Sequence, residues 1–469
     1  MVATTETISH APAQLRTGAL SLPETIGQSI ANIAPTLTPA LNIVVVAGIA
    51  GVGSWVSYLI ATIGCVFVGS CIATLAKRHP EAGSYFIYIG RNFGAVPGAV
   101  AGWLMILAYI ACGMAVVSGA PLYINTILAP FDLSLSNFWL TVYGVVFLGM
   151  ITYFSYRDIQ MSSRVGLILE VVSISIIVII TILVVAQKGT AVDPQQLNIG
   201  KLPVAGIMSA MAFAVFSFVG FESSATLAKE ARNPQKAVPF AVMGSVAAAG
   251  IFFTIISYFM VLGSNDNTTA MGASSSPFSD MTAAAHLPWA ASVVYFAASI
   301  SAFACTLACL NAGSRMIFSM SRYQFLHGSM GLVHNTHKTP YAALFFSAAL
   351  ILVGYLAVAT TQGFVNAFDI FGTISTYGFV VVYLGVTIVS SLDVYKTGTL
   401  KPWHIISSVI GGALMLFVIY SSVFPWPAAP CQYLPEIFLV YIAVGLAWFL
   451  TLKFKSPQVL AGIAHDLEG

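Results

Sequence analysis

Apolar runs long enough to cross a lipid bilayer recur along the whole chain. A helix needs about 20 mostly apolar residues to span the hydrocarbon core. Of the 469 residues, 58% are hydrophobic and only 7% are charged, whereas soluble domains carry about 25% charged residues. The sequence therefore predicts an all-α membrane protein embedded in a lipid bilayer. We place twelve transmembrane helices near residues 24–48, 54–76, 96–119, 137–155, 165–186, 203–226, 238–262, 286–318, 340–359, 364–391, 403–424 and 434–452.

The basic residues test this count of spans. If the N-terminus is cytoplasmic, all of the 18 Lys and Arg residues except Lys188 and Lys201 fall in cytoplasmic segments. The positive-inside rule predicts such an asymmetry. One missed span would assign every later loop to the opposite side of the membrane and remove the asymmetry. The N-terminal tail has no short apolar core followed by a cleavage site, so it is not a signal peptide. We expect a multi-pass protein of the cytoplasmic (inner) membrane with both termini in the cytoplasm.

Composition and motifs exclude several classes of protein. The net charge of +2 and the scattered basic residues do not suggest a nucleic-acid partner. No Ser/His/Asp arrangement and no GxxxxGK[ST] phosphate loop is present, so we expect neither an enzyme, nor an ATP-driven pump, nor a bound cofactor. The six cysteines form no CxxC pair. Cys305 and Cys309 share a helix face, but we interpret them as packing residues because no His or further Cys is near them in sequence.

Two carboxylates lie inside predicted spans. Glu170 occurs in "VGLILEVVSISIIV" of the fifth span, and Glu222 in "FSFVGFESSATLAKE" of the sixth. A carboxylate at a helix centre costs about 2.5–3.5 kcal/mol to insert, so each is a candidate for ion or proton coupling. Alternatively, Glu170 reaches cytoplasmic water near the inner end, and Glu222 makes a structural hydrogen bond between helices. Asp369, Glu24 and Glu436 are interpreted as interfacial.

The first span carries two prolines, Pro35 and Pro39, in "IANIAPTLTPALN". Each removes a backbone donor, so the carbonyls of Ala31 and Pro35 should be freed and the helix broken around Ala34–Thr38. Such backbone is tolerated in a membrane only where it is buried in protein or lines a cavity. A simple proline kink is the alternative. The sixth span holds Gly220 within "FAVFSFVGFESS", and matching interruptions in two halves of a chain indicate a transporter binding site.

Three segments carry a resemblance to a known family. They are "KRHPEAGSYFIYIGRNFG", "FSFVGFESSATLAKEARNPQKAVP" and "NAGSRMIFSMSRYQFL". With them the chain resembles the amino acid–polyamine–organocation (APC) superfamily of transporters over nearly its whole length. The resemblance implies a LeuT-type core of two inverted five-helix repeats, with discontinuous helices one and six. The implied regions are a cytoplasmic tail 1–22, a ten-helix core 23–392 with repeats 23–190 and 200–392, helices eleven and twelve in 393–456, and a cytoplasmic tail 457–469.

The resemblance also implies a substrate at the unwound centres of spans one and six. Ala34, Pro35 and Thr36 would offer backbone amides to a carboxylate. The backbone beside Gly220 would take an ammonium group through the carbonyls of Phe216, Ser217 and Val219. Phe216 stands where the family often places an aromatic gate, although it is also one of 31 Phe residues that could simply pack. Weaker candidates for the pocket are Tyr109, Cys112, Cys305, Thr306 and Cys309.

The sequence departs from the family at two places. The first span breaks with proline and threonine instead of a short Gly/Ser-rich segment. Many relatives carry a lysine near the position of Glu170, and a glutamate reverses that charge. Sodium coupling would need two hydroxyls in the eighth span near the first break; Thr306 is available, but Cys305 is a poor sodium ligand. We therefore rank coupling to a proton above coupling to sodium.

Together these features predict a secondary active transporter that moves an amino acid or related small amine by alternating access. Three alternatives remain. An exchanger of two solutes would not require either acid to titrate. A nutrient sensor would use the same pocket without flux. A channel would require a continuous polar-lined pore, which the clustering of polar groups at two helix breaks does not favour.

Overall fold

The computed structural model describes residues 15–81, 83–274 and 276–455, and this part of the chain is helical and contains no β-strand. The predicted tail 457–469 and residues 1–14 of the other tail lie outside the described residues. The α-helices are α1 Leu22–Ile33, α2 Val44–Ala50, α3 Ser54–Arg78, α4 Ser84–Phe93, α5 Ala95–Gly119, α6 Ile124–Leu128, α7 Asn137–Arg157, α8 Ile159–Lys188, α9 Pro194–Leu197, α10 Val204–Ser209, α11 Met211–Phe216, α12 Pro234–Gly263, α13 Thr268–Ala273, α14 Pro277–Ala284, α15 Pro288–Arg322, α16 Tyr341–Gln362, α17 Phe364–Lys396, α18 Pro402–Val423 and α19 Leu434–Lys455.

Ten helical stretches of the described chain are long and apolar enough to cross a membrane. They correspond to all of the predicted spans except the first and the sixth. Those two segments are interrupted: α1 and α2 are separated by a break and a π-helical turn, Pro39–Ile43, and α11 is followed by a break and a 3₁₀ helix, Ser223–Glu230. No uninterrupted helix within the first or the sixth predicted span is long enough to cross the membrane alone. A count of twelve spans therefore requires that each interrupted segment be counted as one span.

All six ion pairs among the described residues lie in segments that the charge count places in the cytoplasm. Each joins segments far apart in sequence: Arg16 to Asp158, Arg78 and His79 to Asp393, Arg164 to Glu24, Lys229 to Glu81, and Arg315 to Glu230. These contacts bring the predicted cytoplasmic segments together at one end of the helix bundle. We call this end the charged end.

The central helices are held by close packing. Helix α12 packs along α3, α17 along α5, and α15 against both α5 and α8. Small residues permit these approaches: a Cβ built on Gly250 would lie 2.1 Å from the Thr62 side chain, and one on Gly378 would lie 3.0 Å from the Leu104 carbonyl. Helix α19 is attached from outside by stacking of Tyr441 on Trp103, with ring centroids 4.7 Å apart. Much of its remaining surface is exposed and apolar, as contact with lipid requires.

The segment Gly263 to Ala285 is rich in Ser, Thr, Asn and Asp, a composition that predicts a flexible surface loop, and the structure corrects this prediction. It contains the short helices α13 and α14, which bury Met271, Phe278 and Met281. Gly272 of α13 approaches Gly48 of α2 so closely that a Cβ on Gly48 would lie 3.1 Å from the Gly272 Cα. Helix α13 packs on α2 and α14 packs on α15, so these apolar residues anchor the segment although its composition is mostly polar.

Candidate functional site

The first break begins where α1 ends at Ile33. Ala34 adopts the left-handed region at φ 51° and ψ 62°, and its N–H donates to the Ala31 carbonyl at 3.1 Å. The helix resumes with the N–H of Thr38 donating to the Ala34 carbonyl at 3.0 Å. The prediction that the Ala31 carbonyl is free was therefore wrong, because a tight turn at the end of α1 satisfies it. The break in helical hydrogen bonding is also shorter than the predicted Ala34–Thr38, because Thr38 already makes a helical bond.

The second break follows the end of α11 at Phe216. A series of turns leads to Gly220, whose φ of 94° lies in a region that L-residues with side chains rarely adopt. The Val219 N–H donates to the Phe216 carbonyl at 3.1 Å. The carbonyls of Ser217 and Val219 accept no hydrogen bond from another described residue. Two backbone acceptors are thus uncommitted at this break.

The two breaks lie against each other. The Asn32 side-chain amide donates to the Gly220 carbonyl at 3.5 Å, a long hydrogen bond. Beside it, the Ser223 hydroxyl donates to the Gln28 carbonyl at 3.2 Å, and the Ser224 N–H donates to the Ser29 hydroxyl at 3.3 Å. The charged-end half of the first span therefore packs directly on the backbone that follows the second break.

The backbone donors at the first break are fewer than expected. Pro35 has no N–H and cannot donate, so its assignment as an amide donor was wrong. The N–H of Ala34 is already bonded to Ala31. Of the three predicted amides, only that of Thr36 has no acceptor among the described residues. The Phe216 carbonyl is likewise occupied, which leaves the carbonyls of Ser217 and Val219.

A small cavity of about 30 Å³ lies between the breaks. It has room for about two waters. Of the predicted pocket residues, Ala34, Cys112, Phe216, Val219 and Cys305 line it, whereas Pro35, Thr36, Tyr109, Ser217, Gly220 and Cys309 do not. The complete lining is Asn32, Ile33, Ala34, Leu37, Thr38, Leu41, Asn42, Cys112, Val116, Phe216, Val219, Cys305 and Phe368.

A second, larger cavity of about 530 Å³ continues toward the end opposite the charged end. Asn42, Phe216 and Phe368 line both cavities. The rings of Phe216 and Phe368 lie with their centroids 6.4 Å apart. Asp369 is in the wall of the larger cavity, and its carboxylate makes no hydrogen bond or ion pair to a described residue. The two phenyl rings therefore stand between the large cavity and the small one.

Glu222 is fully buried between two tyrosines. The Tyr109 hydroxyl donates to Glu222 Oε1 at 2.9 Å, and the Tyr383 hydroxyl donates to Oε2. Tyr383 also lies 3.5 Å from the Gly220 N–H. Tyr109, predicted to line the pocket, instead braces this carboxylate. The arrangement ties α5 and α17 to the second break.

Glu170 is also fully buried. The Ser301 hydroxyl of α15 donates to Oε1 at 2.8 Å, and Ser173 lies 3.3 Å from Oε2. The Thr36 hydroxyl of the first break donates to the Ser173 hydroxyl at 3.0 Å. The reading in which Glu170 reaches cytoplasmic water was therefore wrong. The carboxylate instead ends a chain of side chains that begins at the first break.

Neither of the eighth-span residues proposed for coupling, Thr306 and Cys305, makes a hydrogen bond to Glu170. The Thr306 hydroxyl donates to the Ala302 carbonyl of its own helix at 3.0 Å, and the Cys305 thiol donates to the Asn32 carbonyl at 3.2 Å. Ser301 is the eighth-span residue that bonds Glu170, and the sequence contains a signal for it. Ser301 lies four residues before Cys305, and so on the same helix face.

Three thiols meet beside the small cavity. The sulfurs of Cys112, Cys305 and Cys309 all lie within 4.8 Å of one another, and all three side chains are buried. The Cys309 thiol also donates to Asn32 Oδ1 at 2.8 Å. The interpretation of Cys305 and Cys309 without a further cysteine nearby is corrected by the structure, because Cys112 reaches them from α5, far away in sequence. No disulfide joins the cysteines of the described chain.

Interrupted helices that meet at a cavity between long membrane-crossing helices define a class of protein, the membrane transporters. The family follows from sequence comparison. A profile of the amino acid permease family matches residues 25–461, and the chain belongs to this family, within the APC superfamily.

Relatives in this family are transporters. The chain is 28% identical to the branched-chain amino acid permease BcaP of Bacillus subtilis (strain 168), over 66% of this chain and 68% of that protein. It is 24% identical to the glutamate/serine transporter AimA of the same organism, over 87% of this chain and 77% of that protein. It is also 24% identical to the methylthioribose transporter of that organism, over 87% of each chain.

Proposed function

We propose that this protein is a secondary active transporter that moves a neutral amino acid, or a related small amine, across the cytoplasmic membrane. One observation carries the proposal: two interrupted helices meet beside a cavity, and each break leaves backbone groups unpaired, of which the Val219 carbonyl belongs to a residue that lines the cavity. The N–H of Thr36 and the carbonyls of Ser217 and Val219 have no partner among the described residues. Family membership and the names of the relatives support transport of an amino acid.

The polarity of the two breaks suits a zwitterion. The Thr36 N–H stands at the start of the outer half of the first span, where the helix dipole is positive and favours a carboxylate. The carbonyls of Ser217 and Val219 follow the end of α11, where the dipole is negative and favours an ammonium group. A single small molecule with both groups would satisfy both helix ends at once.

The lining of the small cavity indicates the side-chain class. Ile33, Leu37 and Val116 are aliphatic, and no Lys, Arg, Asp or Glu lines the cavity. A second charge on the substrate would therefore be buried without a partner, which is costly. We infer a small or medium apolar side chain, a class that includes the substrates named for the branched-chain relative.

We infer alternating access within a twelve-span, LeuT-type fold. Packing of the second span on the seventh and of the third on the eighth, seen as α3 on α12 and α5 on α15, is compatible with two repeats of five. Under the charge-based topology the large cavity opens outside, and substrate reaches the small cavity past Phe216 and Phe368. Phe216 would then act as the gate, and separation of the charged end would release the substrate inside.

We propose a proton as the coupling ion and Glu170 as its site. No Lys or Arg pairs with this buried carboxylate in the described structure, so its negative charge requires a proton or a metal cation. The chain of hydroxyls from Ser173 to Thr36 links its charge to the first break. Glu222 already receives two tyrosine hydroxyls, which fits bracing of the second break as well as coupling.

Uptake into proteoliposomes tests this function. With an inward proton gradient we expect leucine or another neutral amino acid to accumulate above its external concentration. Glu170→Gln should abolish accumulation while leaving exchange of internal for external substrate. Glu436→Gln, at the start of α19 and outside this network, is the matched control. Full accumulation by the Glu170→Gln variant would contradict the coupling role. Exchange by wild type without any gradient-driven accumulation would indicate an exchanger. Substrate binding with neither accumulation nor exchange would indicate a sensor.

A further inference from the structure

The cysteine cluster at the small cavity brings together three thiols from two helices. Cys112 projects from α5, whereas Cys305 and Cys309 lie one turn apart on the same face of α15. Three sulfur atoms within 4.8 Å of one another, buried and free of disulfides, form a set of soft ligands. We propose that this cluster binds one soft monovalent metal ion of the Cu(I) class, and that the bound ion blocks the transport cycle.

The spacing of the sulfurs fits one ion. Metal–sulfur bonds in proteins are about 2.3 Å long, so three sulfurs around an ion in their own plane would be about 4 Å apart. The present upper limit of 4.8 Å requires only small side-chain movements. Thiols select Cu(I) and related soft ions, whereas Zn²⁺ in a structural site takes four ligands. No His, Asp or Glu joins the cluster in the described chain to supply a fourth.

Charge also favours a monovalent ion. The cluster is buried within the membrane-crossing helices, where a net charge is costly. A monovalent ion that displaces one thiol proton gives a neutral site, with one thiolate and two neutral thiols as ligands. The displaced proton passes to bulk solvent, and no electron is transferred. A divalent ion would have to displace two protons to reach neutrality.

The position of the cluster explains the block, a part of the proposal that rests on the proposed function. Cys112 and Cys305 line the small cavity, so a bound ion would occupy one of its walls. The thiols of Cys305 and Cys309 now donate to Asn32, at its carbonyl and its Oδ1. Metal binding would draw both sulfurs toward the ion and thereby weaken these hydrogen bonds to Asn32, the residue that contacts Gly220. The ion would thereby cross-link α5 to α15 and loosen the contact between the two breaks.

Binding of Ag(I), a redox-inert probe for Cu(I), tests the site without measuring transport. The purified full-length protein in detergent is equilibrated with Ag(I) in a buffered series of free concentrations, desalted, and assayed for bound silver. We expect the variant Cys112→Ala/Cys305→Ala/Cys309→Ala to bind one ion fewer than wild type. The matched control, Cys65→Ala/Cys71→Ala/Cys431→Ala, leaves the cluster intact and should keep that ion.

A single substitution protects the test from a folding defect. Cys112→Ser leaves both thiol–Asn32 hydrogen bonds in place, and we expect it to weaken the tightest Ag(I) affinity at least tenfold with an unchanged melting temperature in the absence of silver. Equal silver binding by wild type and the Cys112→Ser variant would overturn the proposed site. One equivalent of Ag(I) should also stop amino acid uptake by the control variant. If silver binds without inhibiting uptake, the metal site stands but the proposed inhibition of transport is refuted. If wild type binds silver but transports no amino acid, only the proposed function is refuted.

Discussion

Asn32 and Gly220 hold the two interrupted spans in contact. A Cβ built on Gly220 would lie 2.4 Å from Asn32 Nδ2, closer than real Cβ atoms approach another atom. The same asparagine receives the thiol hydrogens of Cys305 and Cys309. Asn32 therefore links the first break, the second break and α15, although no sequence pattern singles it out.

Gly220→Ala should impair transport severely. The substitution adds a Cβ at φ 94° and forces it against Asn32. Strain of this kind costs about 1–3 kcal/mol, and about 1.4 kcal/mol already corresponds to a factor of ten. We expect uptake to fall about tenfold or more, with a lower melting temperature. Gly149→Ala, on α7 with nothing within 4 Å of the added Cβ, is the control and should behave like wild type. Near-normal uptake by Gly220→Ala would show that this contact does not shape the site.

Phe216→Ala should open a passage between the two cavities, since Phe216 lines both. Bound substrate would then dissociate toward the large cavity before the protein changes conformation. We expect KM to rise by about tenfold, the equivalent of about 1.4 kcal/mol, and Phe216→Tyr to restore most of the affinity. Phe213→Ala removes a ring that lines only the large cavity and serves as the control. If both alanine variants raise KM equally, Phe216 has no special role as a gate.

Asp369→Asn should slow capture of the substrate from the large cavity. The carboxylate lies in the wall without a bonding partner, so it can attract an ammonium group before the substrate reaches the phenyl rings. We expect a several-fold lower initial rate of uptake at low substrate concentration and a weaker dependence of that rate on salt. The maximal rate should be unchanged. Thr373→Val alters the same wall without removing charge and is the control. An unchanged salt dependence in Asp369→Asn would exclude electrostatic capture by this residue.

The pair of Arg315 and Glu230 should dominate the stability of the charged end. Their side chains are 0% and 1% exposed, and Arg315 Nε lies 2.8 Å from Glu230 Oε2. Removing one partner leaves a buried charge, so Arg315→Met should cost about 3–5 kcal/mol of unfolding free energy. Replacing both, as Arg315→Met/Glu230→Leu, should recover most of it. The exposed pair of Lys229 and Glu81 offers a comparison, and Lys229→Met should cost no more than about 1 kcal/mol. A double variant as unstable as the single one in thermal unfolding would contradict this account.

A pair of acids at the opposite end predicts a pH dependence. Burial and the neighbouring Asp193 carboxylate raise the pKa of Asp266 to about 6. Because this pKa is raised on folding, protonated Asp266 stabilises its contact with Asp193 at low pH. The stabilisation is lost as pH rises through 6. We expect the melting temperature of wild type to fall between pH 5 and 7.5 more than that of Asp266→Asn. Parallel profiles for the two proteins would show that Asp266 does not titrate in this window.

The sequence predicted the long helices and the two breaks because these follow from local chemistry. Runs of apolar residues determine the spans, and Pro35, Pro39 and Gly220 act on their own backbone. Contacts between distant segments could not be obtained in this way. The meeting of Cys112 with Cys305 and Cys309, and of Glu170 with Ser301, depends on how α5, α8 and α15 pack. A single sequence shows periodicity within each helix but not the rotation of one helix against another.

The same limit explains the error at Gly263 to Ala285. Polar composition indicated a loose segment, whereas Met271, Phe278 and Met281 anchor it to the rest of the protein. The error at Pro35 was of another kind, because the absence of its N–H is visible in the sequence itself. The family resemblance supplied the position, but a proline at that position has no backbone N–H to donate.

The six ion pairs found among the described residues all lie at the charged end, which has a consequence for the resting transporter. Opening that side would break these ion pairs, whereas the opposite end contains hydrogen bonds, such as those of Lys188 to Leu262 and Asn265, but no ion pair in the described part of the chain. Under the charge-based topology, the transporter without substrate should therefore favour its outward-open conformation. High ionic strength should shift the population toward the inward-open conformation.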